Sequence, residues 1–143
     1  METLGLGMER VCDNAKTLAQ FFATEYSDIE VNYPGLAGSK WHNIATEQFG
    51  DKFGGIITIR TGNKKRAFGI IDALKLPLIV SNIGDTKTLV IHPESTLNVH
   101  STQEEKETAG VFDDLIRISV GIEDIEDLID DFKQAIESVK DVY

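Results

Sequence analysis

The sequence has few of the residues that mark specialised classes of protein. Cysteine occurs once, as Cys12, so no internal disulfide can form, and we predict a reducing, cytoplasmic location. No run of about 18 apolar residues occurs, and the first residues lack the basic start and apolar centre of a secretory signal. We therefore predict no membrane partner. The cysteine and the three histidines lack the close spacing of metal ligands, so we also predict no metal site.

Basic residues are scarce as well, chiefly near the carboxyl terminus. The 143 residues include 14 Lys and Arg against 24 Asp and Glu, for a net charge of −10. Residues 100–143 hold 13 of the acidic residues but only 4 of the basic ones. A nucleic-acid surface needs a basic patch, so we predict no nucleic-acid partner. We interpret the acidic third of the chain as a solvated helix face.

The apolar pattern predicts alternating helices and strands. Residues 4–22 carry apolar side chains at helical spacing, and residues 123–139 do the same. Shorter helices are predicted at 39–49, 64–74 and 103–109, and β-branched runs predict strands at 28–33, 55–61, 76–80, 88–91 and 115–120. Four or five short strands with helices to one side indicate an α+β fold. We expect a two-layer sandwich with a small, mostly antiparallel sheet, preceded by a long amphipathic helix.

No catalytic motif accompanies this pattern. A Gly-rich phosphate loop and a Gly-x-Ser-x-Gly nucleophile elbow are both missing. We predict that the carboxylate pairs at 104–105 and 113–114 lie on solvated surface, that Cys12 is a small buried residue and that His92 is a structural turn residue. The cations at 64–66 begin a predicted helix against its dipole, so we expect them to be exposed or to bind something. We predict no catalytic residue in the chain.

Arg117 is the exception, because it interrupts the apolar strand Leu-Ile-Arg-Ile-Ser-Val at 115–120. Arginine is rarely buried unless it is paired. Its guanidinium can hold a carboxylate through two parallel hydrogen bonds. That carboxylate belongs either to an internal Asp or Glu or to a bound ligand such as an amino acid, and the residues alone leave both possibilities open.

Five stretches of the sequence resemble the Cys/Met-metabolism family of pyridoxal-phosphate (PLP) enzymes. Residues 115–124, Leu-Ile-Arg-Ile-Ser-Val-Gly-Ile-Glu-Asp, are similar to the family's C-terminal signature. Residues 82–93, Asn-Ile-Gly-Asp-Thr-Lys-Thr-Leu-Val-Ile-His-Pro, resemble its second C-terminal motif, and Asp85 with His92-Pro93 favours the O-acetylhomoserine sulfhydrylase branch. The remaining similarities lie in the family's domain-joining helix and in one further stretch: Glu2-Thr3-Leu4, Met8-Glu9-Arg10, Asn14-Ala15 and Val31–Leu36.

The resemblance covers only the C-terminal domain of a longer enzyme. It implies a domain-joining helix at 1–25 and the C-terminal small domain of the fold-type I PLP-dependent transferases at 26–143, with the large PLP-binding domain absent. The family's cofactor lysine, in its Ser-x-Thr-Lys context, is missing. The resemblance therefore implies no cofactor-binding or catalytic residue in this chain, PLP only in the intact enzyme, and no activity for the chain alone.

The same resemblance implies a substrate contact. Arg117 would bind the α-carboxylate of the amino-acid substrate, and Asn82, where the family often has Ser, would contact the same group. In the intact enzyme, sulfide would replace the acetate of O-acetylhomoserine to give homocysteine, a step of methionine biosynthesis. The implied partners are the large PLP domain and further copies of the enzyme, since the family forms homo-oligomers, typically tetramers.

Two other functions are open from the sequence. The chain could be a free-standing amino-acid-binding module built around Arg117. It could instead be an oligomerisation domain, because without a large domain to cover it the apolar stripe of the first helix would be exposed.

Overall fold

Helices and strands alternate along the chain in the computed structural model, which describes residues 4–36, 42–49, 53–77, 87–96 and 100–139. The helices of this described part are α1 (Leu4–Glu25), α2 (His42–Phe49), α3 (Lys64–Ala73), α4 (Pro93–Thr96), α5 (Gln103–Thr108) and α6 (Ile125–Ser138). Its strands are β1 (Glu30–Asn32), β2 (Ile56–Arg60), β3 (Leu89–Ile91) and β4 (Leu115–Ser119).

The four described strands form one antiparallel sheet in the order β1-β2-β4-β3. Side chains alternate between the two faces of a strand, so residues paired in register share a face. One face carries four fully buried isoleucines: Ile57, Ile59, Ile116 and Ile118. The other face carries Thr58 of β2 opposite Arg117 of β4. The predicted α+β fold with its antiparallel sheet is confirmed.

Helices α1, α3 and α6 cover the isoleucine face. Phe22 of α1 and Phe132 of α6 are both fully buried and meet edge to face, with ring centroids 5.3 Å apart and planes at 85°. The helix residues of this core are Ala15, Leu18, Ala19, Phe22, Ala67, Ile70, Ile71, Leu128, Phe132, Ala135 and Ile136. Their spacing is that of amphipathic helices lying on a sheet.

Helix α1 is part of this core. Leu18 and Phe22 are fully buried, and the side-chain amide of Asn14 donates to the carbonyl oxygens of Gly121 at 3.1 Å and Glu123 at 2.8 Å. The apolar stripe of α1 was expected to be exposed. Its later part, Ala15, Leu18 and Phe22, is instead buried in the core, whereas Met8 is 46% exposed. Self-association through α1 and the oligomeric state stay predictions.

Some element bounds differ from expectation. The strand predicted at 76–80 does not begin as expected, because residues 76 and 77 belong to a bend at 75–77. There the Asp131 carboxylate accepts the backbone N–H groups of Lys75 and Leu76 at 2.9 and 2.8 Å. Residues 78–80 lie outside the described residues, as does Ser39, the predicted cap of α2. Helix α4 was not predicted. It begins at Pro93, whose fixed φ angle suits the first position of a helix.

Arg66, one of the three cations at the start of α3, is buried, whereas Lys64 and Lys65 are exposed as expected. Its guanidinium donates to the Asp28 carboxylate at 2.8 Å and to the Thr61 carbonyl oxygen at 2.9 Å. Position 66 is therefore not exposed. It meets the other half of the expectation, since it binds a carboxylate that the turn before β1 supplies.

Candidate functional site

Arg117 lies at the centre of β4, a strand that is paired on both sides. Thr58 of β2 is opposite Arg117 in one pair, and Ile91 of β3 is opposite it in the other. Its sequence neighbours Ile116 and Ile118 point into the core, so Arg117 projects from the face away from the isoleucine core. The Arg117 side chain is half-buried.

The row of residues across this face runs from buried to exposed. Ile91 is 3% exposed, Arg117 and Thr58 are half-buried, and Asn32 of β1, opposite Thr58, is exposed. Arg117 therefore lies between a buried residue of β3 and the more solvent-exposed residues of β2 and β1. A carboxylate can approach such a guanidinium, and the reduced solvation strengthens charge-assisted hydrogen bonds there.

A second arginine of the same face, Arg60, contacts Asp114 and Phe112. Arg60 Nε lies 3.1 Å from Asp114 Oδ1, and the guanidinium stacks 3.9 Å from the centroid of Phe112. Asp114 also accepts the backbone N–H of Gly62 at 3.0 Å and is only 4% exposed. The prediction that Asp114 is solvated was wrong, because the turn before β4 uses this carboxylate as an internal acceptor.

The Glu123 carboxylate, which was not singled out from the sequence, binds the residue that precedes β3. Glu123 Oε2 accepts the backbone N–H of Thr88 at 2.8 Å, and Glu123 Oε1 accepts the Thr88 hydroxyl at 2.9 Å. Thr88 is fully buried and directly precedes β3. The available signal was the position of Glu123 in the family-like stretch at 115–124.

The other residues singled out from the sequence have structural roles or lie outside the described part. Asn82 is among the residues that the structure does not describe. Cys12 is buried, as predicted. The prediction for His92 is also confirmed: it is buried, its Nε2–H donates to the Asp113 carbonyl oxygen at 2.6 Å, and its Nδ1 lies 2.8 Å from Ser95 Oγ.

The described part of the chain has neither a metal-ligand cluster nor a membrane-spanning helix. No group of three or more His, Cys, Asp and Glu side chains in that part could hold a metal ion. None of the described helices is long and apolar enough to cross a membrane.

Comparison with known proteins decides the family. A model of the Cys/Met metabolism PLP-dependent enzymes matches residues 1–137. The chain belongs to this family. It is 41% identical over 138 residues to homocysteine synthase of Schizosaccharomyces pombe, covering 96% of this chain and 32% of that protein. It is 39% identical over 140 residues to L-methionine gamma-lyase of Fusobacterium nucleatum subsp. polymorphum, covering 97% of this chain and 35% of that protein.

A solved structure agrees. The O-acetylhomoserine (thiol)-lyase of Campylobacter jejuni, which carries a pyridoxyl-lysine phosphate, superposes with a TM-score of 0.90 at 39% identity. The match covers 95% of this Cys/Met-family chain and 32% of that protein. The chain therefore spans about a third of the length of the relatives it matches.

The lysines that the structure describes do not fit the PLP site of a Cys/Met-family enzyme. Such a site needs a lysine free to join the cofactor, held beside a partner for the pyridine nitrogen. Lys106 is engaged by the Glu94 carboxylate at 2.8 Å. The other described lysines are exposed: Lys16, Lys64, Lys65, Lys75, Lys87 and Lys133.

Proposed function

We propose that this chain is the C-terminal substrate-binding portion of an O-acetylhomoserine sulfhydrylase and works joined to a large PLP-binding domain. In the whole enzyme, sulfide adds to the carbon that releases acetate from O-acetylhomoserine, which gives homocysteine. The names of the relatives support this reaction class, since they include a homocysteine synthase and an O-acetylhomoserine (thiol)-lyase. The share of their length that the chain covers supports a missing domain.

The observation that carries the proposal is the place of Arg117: half-buried, at the centre of the sheet, on the face away from the core. In the proposal, its guanidinium binds the α-carboxylate of the substrate through two parallel hydrogen bonds. The contact orients the substrate and does not make or break a bond. Asn82 is proposed as a second contact to the same carboxylate, on the strength of the sequence resemblance.

The affinity of the isolated chain follows from this half-site. Two charge-assisted hydrogen bonds contribute about 1.5–3 kcal/mol each. Their sum, about 3–6 kcal/mol, is reduced by an association cost of about 4 kcal/mol or more, so the dissociation constant of the isolated chain is millimolar or weaker. The isolated chain is thus proposed to bind O-acetyl-L-homoserine weakly through Arg117 and to lack activity.

The test joins this chain to the large domain of the Campylobacter jejuni relative, in place of the matching residues. The fusion should form homocysteine from O-acetyl-L-homoserine and sulfide, and Arg117→Ala should abolish that activity while circular dichroism shows an unchanged fold. The isolated chain serves as the control. A folded fusion that binds PLP but retains activity in Arg117→Ala contradicts the proposed role of the arginine.

A second reaction has a specific observation behind it. The methionine gamma-lyase relative is 39% identical, close to the 41% of the homocysteine synthase. The same fusion therefore needs an assay for consumption of L-methionine without added sulfide. Consumption faster than homocysteine formation would favour the lyase.

The free-standing module remains a distinct alternative, because Arg117 projects from the same face whether or not a large domain is joined. Calorimetric titration of the isolated chain with O-acetyl-L-homoserine and L-methionine separates the two. Binding in the micromolar range that disappears in Arg117→Ala favours the module, whereas millimolar binding favours the half-site. Homo-oligomeric assembly and a cytoplasmic location belong to the proposal for the whole enzyme, and sedimentation of the active fusion tests the assembly.

A further inference from the structure

The Glu123 carboxylate accepts hydrogen bonds from both donors of Thr88, its backbone N–H and its hydroxyl. It accepts the Thr88 backbone N–H at 2.8 Å and the Thr88 hydroxyl at 2.9 Å, each with a different oxygen. The same hydroxyl oxygen accepts the backbone N–H of Gly121 at 3.0 Å. Thr88 is fully buried, so no water replaces these partners when one is lost.

Glu123 is itself held in place. Its carbonyl oxygen accepts the Asn14 amide at 2.8 Å, which ties it to α1. The next residue, Asp124, caps α6 by accepting the backbone N–H groups of Glu126 and Asp127 at 2.9 and 3.3 Å. The Glu123 carboxylate therefore projects from a segment that is held by α1 on one side and by the start of α6 on the other. A residue that positions a binding site needs such support for its own side chain.

The strand that Glu123 anchors forms one side of the Arg117 site. β3 has three residues and, among the described strands, is paired with β4 alone. A three-residue strand at an edge has little pairing of its own to hold it. A shift by one residue would turn its side chains to the opposite faces and move Ile91 away from its position opposite Arg117.

We propose that Glu123 is a positioning residue for the carboxylate site at Arg117. It fixes the start of β3, and thereby the register of β3 against β4, without touching the substrate. This inference rests on the proposed function of Arg117.

The test uses the 143-residue chain with O-acetyl-L-homoserine as the probe. Binding is followed by nuclear magnetic resonance at millimolar probe, together with amide hydrogen exchange in β2, β3 and β4. The variants are Glu123→Ala and Glu123→Gln. Asp131→Ala is the matched control for Glu123→Ala. Asp131, which is buried where Glu123 is half-buried, is likewise a carboxylate that accepts backbone N–H groups, but it anchors the segment after α3.

Glu123→Ala should weaken probe binding about tenfold, the equivalent of about 1.4 kcal/mol. It should also speed exchange in β3 more than in β2. Glu123→Gln should retain most of the affinity, because its amide oxygen still accepts the Thr88 N–H. Asp131→Ala should lower stability and leave the affinity within about twofold, since substitutions that act only on the fold move stability alone.

Two results overturn the inference on its own. One is probe binding that survives Glu123→Ala. The other is an equal loss of affinity in Glu123→Ala and Asp131→Ala with uniformly faster exchange, which marks a general loss of stability. A folded wild-type chain that does not bind the probe contradicts the proposed function of Arg117 first, and the positioning role with it.

Discussion

Replacing Phe22 by alanine tests whether α1 belongs to this domain or serves only to join it to another one. The Phe22 side chain is fully buried and contacts Phe132 of α6 edge to face at 5.3 Å. Truncation of a buried Phe to Ala costs about 3–5 kcal/mol through lost transfer free energy and the cavity left behind. An aromatic pair of this geometry contributes about 0.5–1.5 kcal/mol of such a loss. We therefore expect the upper half of the range.

The measurement is urea unfolding followed by far-ultraviolet circular dichroism. A domain of this size has a free energy of unfolding of about 5–15 kcal/mol, so Phe22→Ala could leave much of the chain unfolded before urea is added. Phe22→Leu, which keeps part of the volume, gives a smaller and measurable loss in that case. Met8→Ala is the control on the same helix, because Met8 is 46% exposed and its truncation should change stability by less than about 0.5 kcal/mol. A loss for Phe22→Ala no larger than for Met8→Ala would refute the packing of α1 described here.

Two further predictions concern packing and pH. Gly55→Ala should destabilise the fold by about 1–3 kcal/mol, because the added methyl would meet Val11 Cγ1, and truncating Val11 to alanine in the same chain should restore part of the loss in urea unfolding. Gly7→Ala is its control and should stabilise α1 by about 0.5–1 kcal/mol, since nothing lies near the added methyl; equal losses at both positions would contradict the predicted contact. The hydrogen bond from Lys106 lowers the pKa of Glu94, so the stability that the ionised group contributes is present above its ordinary pKa and is lost as pH falls through the lowered one. Urea unfolding from neutral to acid pH should show a smaller loss of stability for Glu94→Gln than for wild type, and parallel curves would show that Glu94 has no part in the loss.

Regular periodicity made most of the fold predictable. Strands β2 and β4 and helices α1 and α6 each bury one face. Because a buried face needs apolar residues at a regular spacing, the spacing in the sequence predicts these elements. Short elements were harder. The run at 76–80 has the apolar composition of a strand. At its start, however, the backbone N–H groups of Lys75 and Leu76 bind the distant Asp131 carboxylate, which the local pattern does not reveal.

Long-range contacts of charged residues were the main feature that the sequence did not predict at the candidate site and around it. Asp114, Arg66 and Glu123 each meet partners far away in sequence: Arg60, Asp28 and Thr88 respectively. Sequence reasoning treats a charged residue as solvated by default, because burial depends on the long-range partner. Arg117 was identifiable because its own strand is apolar on both sides, so its exceptional environment is local.

The most direct test of the central claim is the Michaelis constant for O-acetyl-L-homoserine in the active fusion with Arg117→Lys. Lysine keeps the charge but loses the two-pronged geometry, so we expect a rise of about 10- to 150-fold, equivalent to about 1.5–3 kcal/mol. Arg60→Lys, on the same face but held by Asp114, should leave the constant unchanged. An unchanged constant in Arg117→Lys would contradict the assignment of Arg117 to the substrate carboxylate.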